Sequence, residues 1–122
     1  MISHVAFASL PAVDLDRAIA FWRDAVGLEL THDSDAIAGM RWVMLRPGGA
    51  DTHVHLDPVK AIPPGDRPAL PLIAPDVPGA IEALRARGVE IVMEPKPAEW
   101  DAETTYALFR DSEGNVILIA SQ

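Results

Sequence analysis

Two stretches of the chain share one pattern of hydrophobic and polar positions. Each begins with an Asp four residues before an Ala-Ile pair, at 14–19 and 76–81, and each closes with Gly-apolar-Glu-apolar, at 27–30 and 88–91. Apolar residues recur between these ends with the spacing of an amphipathic helix. Asp is a preferred N-cap, and Gly is a preferred left-handed C-terminal stop. The pattern therefore predicts two similar modules with one helix each, because a solenoid would show more and shorter repeats.

The segments around these helices carry the apolar runs and alternations that are typical of strands. The clearest is 53–57, in which polar and apolar residues alternate strictly. The predicted strands are 2–10 (ended by Pro11), 28–31, 41–46 and 53–57 in the first module, then 69–74, 89–93, 104–110 and 116–120 in the second. A polar hinge containing Gly39 and a Pro-rich loop at 94–99 lie between predicted strands, and Pro71 indicates an edge strand or a bulge. Each module thus has the order βαβββ.

These elements predict an α+β fold in one structural domain. The first module spans residues 1–57 and the second 69–122, and the linker at 58–68 holds four prolines and one glycine, which oppose regular structure. A βαβββ unit packs its helix on one face of a curved sheet, so its other face needs cover from a second unit. We expect the two curved sheets to enclose a cleft that takes a small molecule.

Composition narrows the classes of partner. Eighteen acidic against 10 basic residues give a formal charge of −8, which argues against phosphate-backbone binding and suits a cationic or neutral small partner. The chain has no cysteine, which excludes disulfides and thiolate chemistry. No basic-then-apolar leader opens it, and no apolar run reaches the roughly 18 residues of a membrane span. We therefore expect a cytoplasmic protein without nucleic-acid or membrane partners.

Two motifs resemble those of a known family. Residues 14–28 (DLDRAIAFWRDAVGL) are similar to the first-helix signature of the vicinal oxygen chelate superfamily, and 109–117 (FRDSEGNVI) to the entry into its last strand. This superfamily includes glyoxalase I, extradiol dioxygenases, fosfomycin-resistance enzymes and bleomycin-resistance proteins. The resemblance extends over the whole chain through the repeated module and implies the same paired βαβββ fold.

The resemblance also implies where a metal would bind. Enzymes of the superfamily hold a divalent ion with one His or Glu from each of four strands, and the ion acts as a Lewis acid. Three of the matched positions carry Phe7, Ala69 and Leu118, and the fourth falls within 53–57. Because three of these four side chains cannot bind a metal, we predict neither a metal nor another cofactor. An atypical site that uses His4, His53 or His55 stays open.

Without a metal, the resemblance favours the bleomycin-resistance proteins, which are acidic, metal-free dimers that sequester a large cationic, partly planar antibiotic. Trp100 lies on a Pro-rich loop beside three acids, and Trp42 lies on a central strand, where it can also be a core residue. Aromatic faces of this kind stack on planar groups and attract cations. The predicted ligand-binding residues are Trp42, His53, His55, Asp57, Trp100, Tyr106 and Phe109.

Three functions remain open. The first is a metal-free protein that binds and sequesters a small molecule such as a cationic or planar antibiotic. The second is a divalent-metal-dependent lyase, isomerase or dioxygenase with an atypical His site. The third is a metal-free biosynthetic enzyme in which His55 and Asp57 perform acid–base chemistry. In each case we expect a homodimer, whose modules the 58–68 linker would allow to exchange.

Overall fold

The computed structural model describes residues 1–37 and 39–122, without the side chains of 36 and 37. The chain forms two compact units, Met1–Pro63 and Pro64–Gln122, whose boundary lies inside the predicted linker. The elements of the first unit are β1 (Phe7–Ala12), α1 (Leu15–Ala20) with a π-helical continuation (Phe21–Val26), β2 (Glu29–Ile37), β3 (Met40–Arg46) and β4 (His53–Pro58). Those of the second are β5 (Pro68–Ile73), α2 (Val77–Ala86), β6 (Ile91–Pro97), β7 (Thr105–Arg110) and β8 (Val116–Ala120). The predicted α+β fold of two βαβββ modules is confirmed.

The two sheets have the same topology. The strand order is β1-β4-β3-β2 in the first unit and β5-β8-β7-β6 in the second. In each sheet the strand before the helix pairs in parallel with the last strand of the unit, and the other neighbours are antiparallel. The helix supplies the long crossover that a parallel pair requires. The sequence repeat is therefore a repeat of the whole supersecondary unit.

In each unit, alternate strand residues form the hydrophobic core. The first core contains Leu10, Val43, Leu45, Val54 and Leu56 from the sheet and Ala18, Ile19 and Trp22 from the helix, all buried. The second contains Leu70, Ala107, Phe109, Ile117 and Ile119 with Val77, Ile81 and Leu84 of α2. Because successive strand side chains point to opposite faces, the residues between them form a second face, which we call the helix-free face.

Both helices begin and end as the sequence predicts. The Asp14 carboxylate accepts a hydrogen bond from the Arg17 N–H at 3.1 Å, and Asp76 accepts one from the Gly79 N–H at 3.0 Å. Gly27 follows the π-helical turns with a φ of 91°, in the left-handed region that glycine adopts most readily. No helix in the described parts of the chain is long and apolar enough to span a membrane.

The start of the first strand differs from the prediction. Residues 2–6 are exposed and not in a strand, and Pro11 lies inside β1, opposite Asp57, where we expected it to end the strand. β1 is an edge strand of its four-stranded sheet among the described residues, and a residue without an N–H is tolerated in an edge strand. Pro71 likewise lies in the edge strand β5, as predicted.

Two segments predicted as irregular are strands. β2 continues through the predicted hinge as far as Ile37, and β6 continues into the predicted 94–99 loop as far as Pro97. In both strands the register shifts against the neighbour, between Leu30 and His32 and between Met93 and Lys96. These bulges accommodate residues that do not fit a regular ladder, so pairing with the neighbouring strand outweighs local propensity.

Candidate functional site

The helix-free face of the first sheet gathers most of the predicted site residues of that unit. Strand register places Phe7 opposite His53 and Ser9 opposite His55, and Met44 of β3 faces His55 from the other side. The alternation of β4 puts Val54 and Leu56 in the core, so its polar residues face the opposite way, as predicted from the sequence.

Three rings on this face form one cluster, which we call the aromatic cluster: Phe7, Trp42 and His55. The Trp42 and His55 rings are stacked, with centroids 4.0 Å apart and an interplanar angle of 27°. Phe7 meets both edge-on, at 5.6 Å from Trp42 and 5.3 Å from His55. Stacked and edge-to-face arrangements are the favourable geometries for aromatic pairs. The cluster is therefore a preformed aromatic surface built from three neighbouring strands.

His55 is the most unusual side chain of the cluster. It is only 6% exposed, and its Nδ1 lies 3.0 Å from the Ser9 Oγ in a hydrogen bond across the parallel strand pair. Its Nε2 is also buried, and no hydrogen-bond partner for it exists among residues 1–37 and 39–122. Burial lowers the pKa of His55, and the nearby Asp57 carboxylate opposes this only in part. The imidazole is thus neutral at neutral pH, with one nitrogen bonded and the other unsatisfied.

The other two predicted residues of β4 lie at the margin of this cluster. His53 is half-buried, and its ring centroid is 6.0 Å from that of His32 on β2. Asp57 is exposed. Sequence reasoning missed His32, because we assigned its segment to a hinge, and Ser9, because its contact depends on a parallel pairing that no local pattern reveals.

The donor set does not fit the divalent metal that the family resemblance implies. Phe7 belongs to the aromatic cluster, Ala69 lies at a register shift in β5, and Leu118 of β8 lies opposite Pro71 of β5 and Leu108 of β7. His4, one of the alternative ligands, is exposed and hydrogen-bonded to Ser3. Within the described ranges, no three His, Asp or Glu side chains are grouped so that they could hold an ion. We therefore derive no chemistry through a metal.

The second unit has a smaller aromatic pair. The Trp100 and Tyr106 ring centroids are 4.8 Å apart, and the Lys96 ammonium lies 5.8 Å from the Tyr106 centroid. Trp100 is 62% exposed. Asp101 orders its loop by accepting hydrogen bonds from the Glu103 N–H and the Thr104 hydroxyl, at 3.1 and 3.2 Å. This pair offers a second aromatic surface, with a cation beside it as well as the acids that we noted in the sequence.

Phe109 does not share a surface with these residues. It is 0% exposed, and its register neighbours Ile91 and Ile117 lie on the core side of the second sheet. Strand alternation places Tyr106 and Leu108 on the helix-free face of the second sheet and turns Phe109 to the opposite face. Phe109 is a core residue, and we leave it out of the candidate site.

Comparisons with known proteins place the chain among proteins of the same fold. The family model described as Glyoxalase/Bleomycin resistance protein/Dioxygenase superfamily matches residues 1–119. The uncharacterized protein YetH of Bacillus subtilis is 29% identical over an alignment of 122 positions, which covers 98% of this chain and 98% of that protein. These matches extend over nearly the whole chain, so they include both units.

Solved structures agree with this assignment. A superfamily member from Sphaerobacter thermophilus is 27% identical, with a TM-score of 0.88 over 99% of this chain and 98% of that one. TnmS3, described as an antibiotic binding protein from Streptomyces sp. CB03234, is 35% identical, with a TM-score of 0.85 over 98% of this chain and 96% of its own. The protein thus belongs to the Glyoxalase/Bleomycin resistance protein/Dioxygenase superfamily.

Proposed function

We propose that this protein binds a planar aromatic small molecule, such as an antibiotic, and sequesters it without changing it chemically. The ligand stacks on the aromatic cluster of the first unit. The observation that carries this proposal is the contact of Phe7, Trp42 and His55 in one surface on the helix-free face.

The physical basis is the match between a flat ring system and the stacked rings of Trp42 and His55, which the protein already holds in place. Binding to side chains that are fixed beforehand avoids the entropy cost of ordering them. Trp42 and His55 lie on the adjacent strands β3 and β4, and stacking on each other limits their rotation. The antibiotic-binding TnmS3, which is similar over nearly the whole chain, supports the choice of ligand class.

Charge supports a ligand that carries a cation. Arginines of both units form ion pairs with nearby acids, which compensates their charges locally; these arginines include Arg23, Arg41, Arg46, Arg85 and Arg110. The chain as a whole keeps a net charge of −8. A field of that sign attracts cationic molecules and raises their association rate. A planar ring system with an amino group is therefore the preferred ligand class.

Calorimetric titration with doxorubicin, a planar and cationic aromatic antibiotic, tests the proposal. We expect saturable binding that weakens roughly thirtyfold or more in Trp42→Ala, because aromatic anchors at binding sites often contribute about 2 kcal/mol or more. Trp100→Ala is the matched control, since it removes the same side chain from the second unit. Absence of binding to doxorubicin and to a panel of other planar antibiotics would refute the proposal, and so would equal losses in both variants.

A second candidate is a metal-free enzyme that uses the same surface. The observation in its favour is the Ser9–His55 hydrogen bond together with the lowered pKa of His55, which leaves a neutral imidazole able to accept a proton. Mass spectrometry of the ligand recovered after incubation distinguishes the two functions. An unchanged ligand supports sequestration, and a product that disappears with His55→Gln supports catalysis.

We also propose that the protein is a homodimer. Apolar side chains at the start of the chain are exposed, including Ile2 at 89% and Val5 at 65%. Exposed apolar surface of this kind is often covered by association. Light scattering coupled to gel filtration should give twice the mass of one chain, and a strict monomer at micromolar concentration would contradict this.

A further inference from the structure

We propose that the Nε2 atom of His55 anchors the ligand by a hydrogen bond to a phenol or quinone oxygen on the edge of its ring system. This inference rests on the proposed binding function and specifies its ligand class. Stacking alone would accept any flat molecule, whereas an anchor at the centre of the aromatic cluster selects rings that carry oxygen.

The first step of the argument is the unequal environment of the two imidazole nitrogens. Nδ1 has a partner, the Ser9 hydroxyl at 3.0 Å. Nε2 is buried without a partner in the part of the chain that the structure describes, in a residue that is 6% exposed. Buried polar atoms in folded proteins almost always have a hydrogen-bond partner, and leaving one unsatisfied costs free energy. A ligand oxygen at Nε2 would recover that cost.

The second step concerns the kind of oxygen that fits. The Ser9 hydroxyl can either donate to Nδ1 or accept from it, because its hydrogen rotates freely about the C–O bond. When Ser9 donates, the proton of the neutral ring is on Nε2, which then donates to a quinone carbonyl. When Ser9 accepts, Nε2 is bare and accepts from a phenol. The Ser9–His55 pair is thus compatible with both oxidation states of a hydroxylated ring system.

The third step is access. Nε2 is closed to solvent in the free protein, and the rings of Phe7 and Trp42 contact the imidazole. Phe7 is 38% exposed, whereas Trp42 stacks flat on His55. We therefore expect the ligand to displace the Phe7 ring from its edge-on contact. The smaller variant Phe7→Leu should increase the association rate.

A pair of probes that differ by one hydroxyl tests the anchor, namely naphthol and naphthalene. With wild-type protein we expect naphthol to bind roughly three- to tenfold more tightly, the effect of one hydrogen bond to a buried partner. His55→Phe keeps an aromatic ring but loses Nε2, so the two probes should bind equally. His55→Gln carries an amide nitrogen at a similar distance along the side chain and should retain much of the preference. Circular dichroism verifies that each variant is folded.

Nitrogen-15 NMR of wild-type protein with labelled histidine gives a readout that needs no variant. We expect the His55 Nε2 resonance to shift on addition of naphthol and to move much less with naphthalene. If both probes bind with equal affinity and Nε2 does not shift, the anchor is wrong but the aromatic binding surface stands. If neither these probes nor the planar antibiotics bind, the proposed function itself fails.

Discussion

His55 and Asp111 are buried ionisable residues, and burial favours the neutral form of each. For His55 this lowers the pKa, and for Asp111 it raises the pKa despite the hydrogen bonds that the carboxylate accepts. The two shifts have opposite consequences for stability as a function of pH, because one neutral form has lost a proton and the other has kept it.

For His55 we predict a loss of stability in mild acid. The pKa is about 6.5 in the unfolded chain and lower in the folded protein, so the unfolded state binds more protons below about pH 6.5. The free energy of unfolding should therefore fall as the pH drops from about 6.5 through the lowered pKa. Urea denaturation at a series of pH values should show this slope in wild-type protein, and His55→Gln should reduce it. His4→Gln, at an exposed histidine, is the matched control for the loss of one histidine.

For Asp111 we predict that the side chain is needed for the turn between β7 and β8. Its Oδ1 accepts hydrogen bonds from the backbone N–H groups of Glu113 and Asn115 at 2.9 and 2.8 Å, and its Oδ2 accepts one from the Asn115 side chain at 2.9 Å. Asp111→Ala would leave these donors without their acceptor, which should cost about 2–3 kcal/mol of unfolding free energy. Thermal denaturation measures this loss, with Asp51→Ala, at an exposed aspartate outside this turn, as control.

The pH dependence of Asp111 has the opposite sign to that of His55. Because the folded carboxyl holds its proton more tightly, Asp111 stabilises the protein most in acid. This stabilisation declines as the pH rises from the usual pKa of an aspartate through the raised pKa of Asp111. If Asp111→Asn were as stable as wild-type protein at every pH in this range, this interpretation would be wrong.

At the scale of elements, the end of the first helix at Gly27 depends on backbone geometry more than on side-chain contacts. Gly27 and Gly48 both have open space where a Cβ would be, but only Gly27 has a positive φ, at 91°. Any effect of adding a methyl group at Gly27 must therefore come from the left-handed backbone, which costs a residue other than glycine about 1–2 kcal/mol.

We therefore predict that Gly27→Ala lowers the free energy of unfolding by about 1 kcal/mol, whereas Gly48→Ala changes it little. Denaturant titration of the two variants beside wild type measures the difference. Equal effects of the two substitutions would show that the left-handed backbone at Gly27 does not impose the expected cost on a residue other than glycine.

At the scale of the whole molecule, the surplus of acids determines how binding responds to salt. With a net charge of −8, the attraction for a cationic ligand is long-ranged and should be screened by ions. We predict that the affinity for doxorubicin falls severalfold between about 0.05 and 0.5 M sodium chloride, where the Debye length shortens from over 10 Å to a few ångströms. The affinity for naphthol, which is uncharged, should change little under the same conditions. If the affinities for doxorubicin and naphthol changed equally with salt, charge would not be a determinant of ligand choice.

The repeated module, the Asp-capped helices with their Gly ends, and the alternation of 53–57 are local features, so the sequence by itself determined them. Spacing and capping depend on residues within a few positions of each other. The same holds for Phe7, Ala69 and Leu118, which stand where the family resemblance implies metal ligands and whose side chains cannot bind a metal.

Only the tertiary structure decided which of these residues meet. The parallel pairing of β1 with β4 brings Ser9 to His55 across 46 positions of sequence, and the register of β3 adds Trp42 to the same surface. A shift of one residue in register would turn each side chain to the other face of the sheet. Phe109 shows how one position along a strand decides the face, since its side chain is buried in the core. Register depends on bulges and on long-range strand pairing; Pro71 indicates an edge strand or a bulge locally, but no local pattern identifies which strand pairs with which.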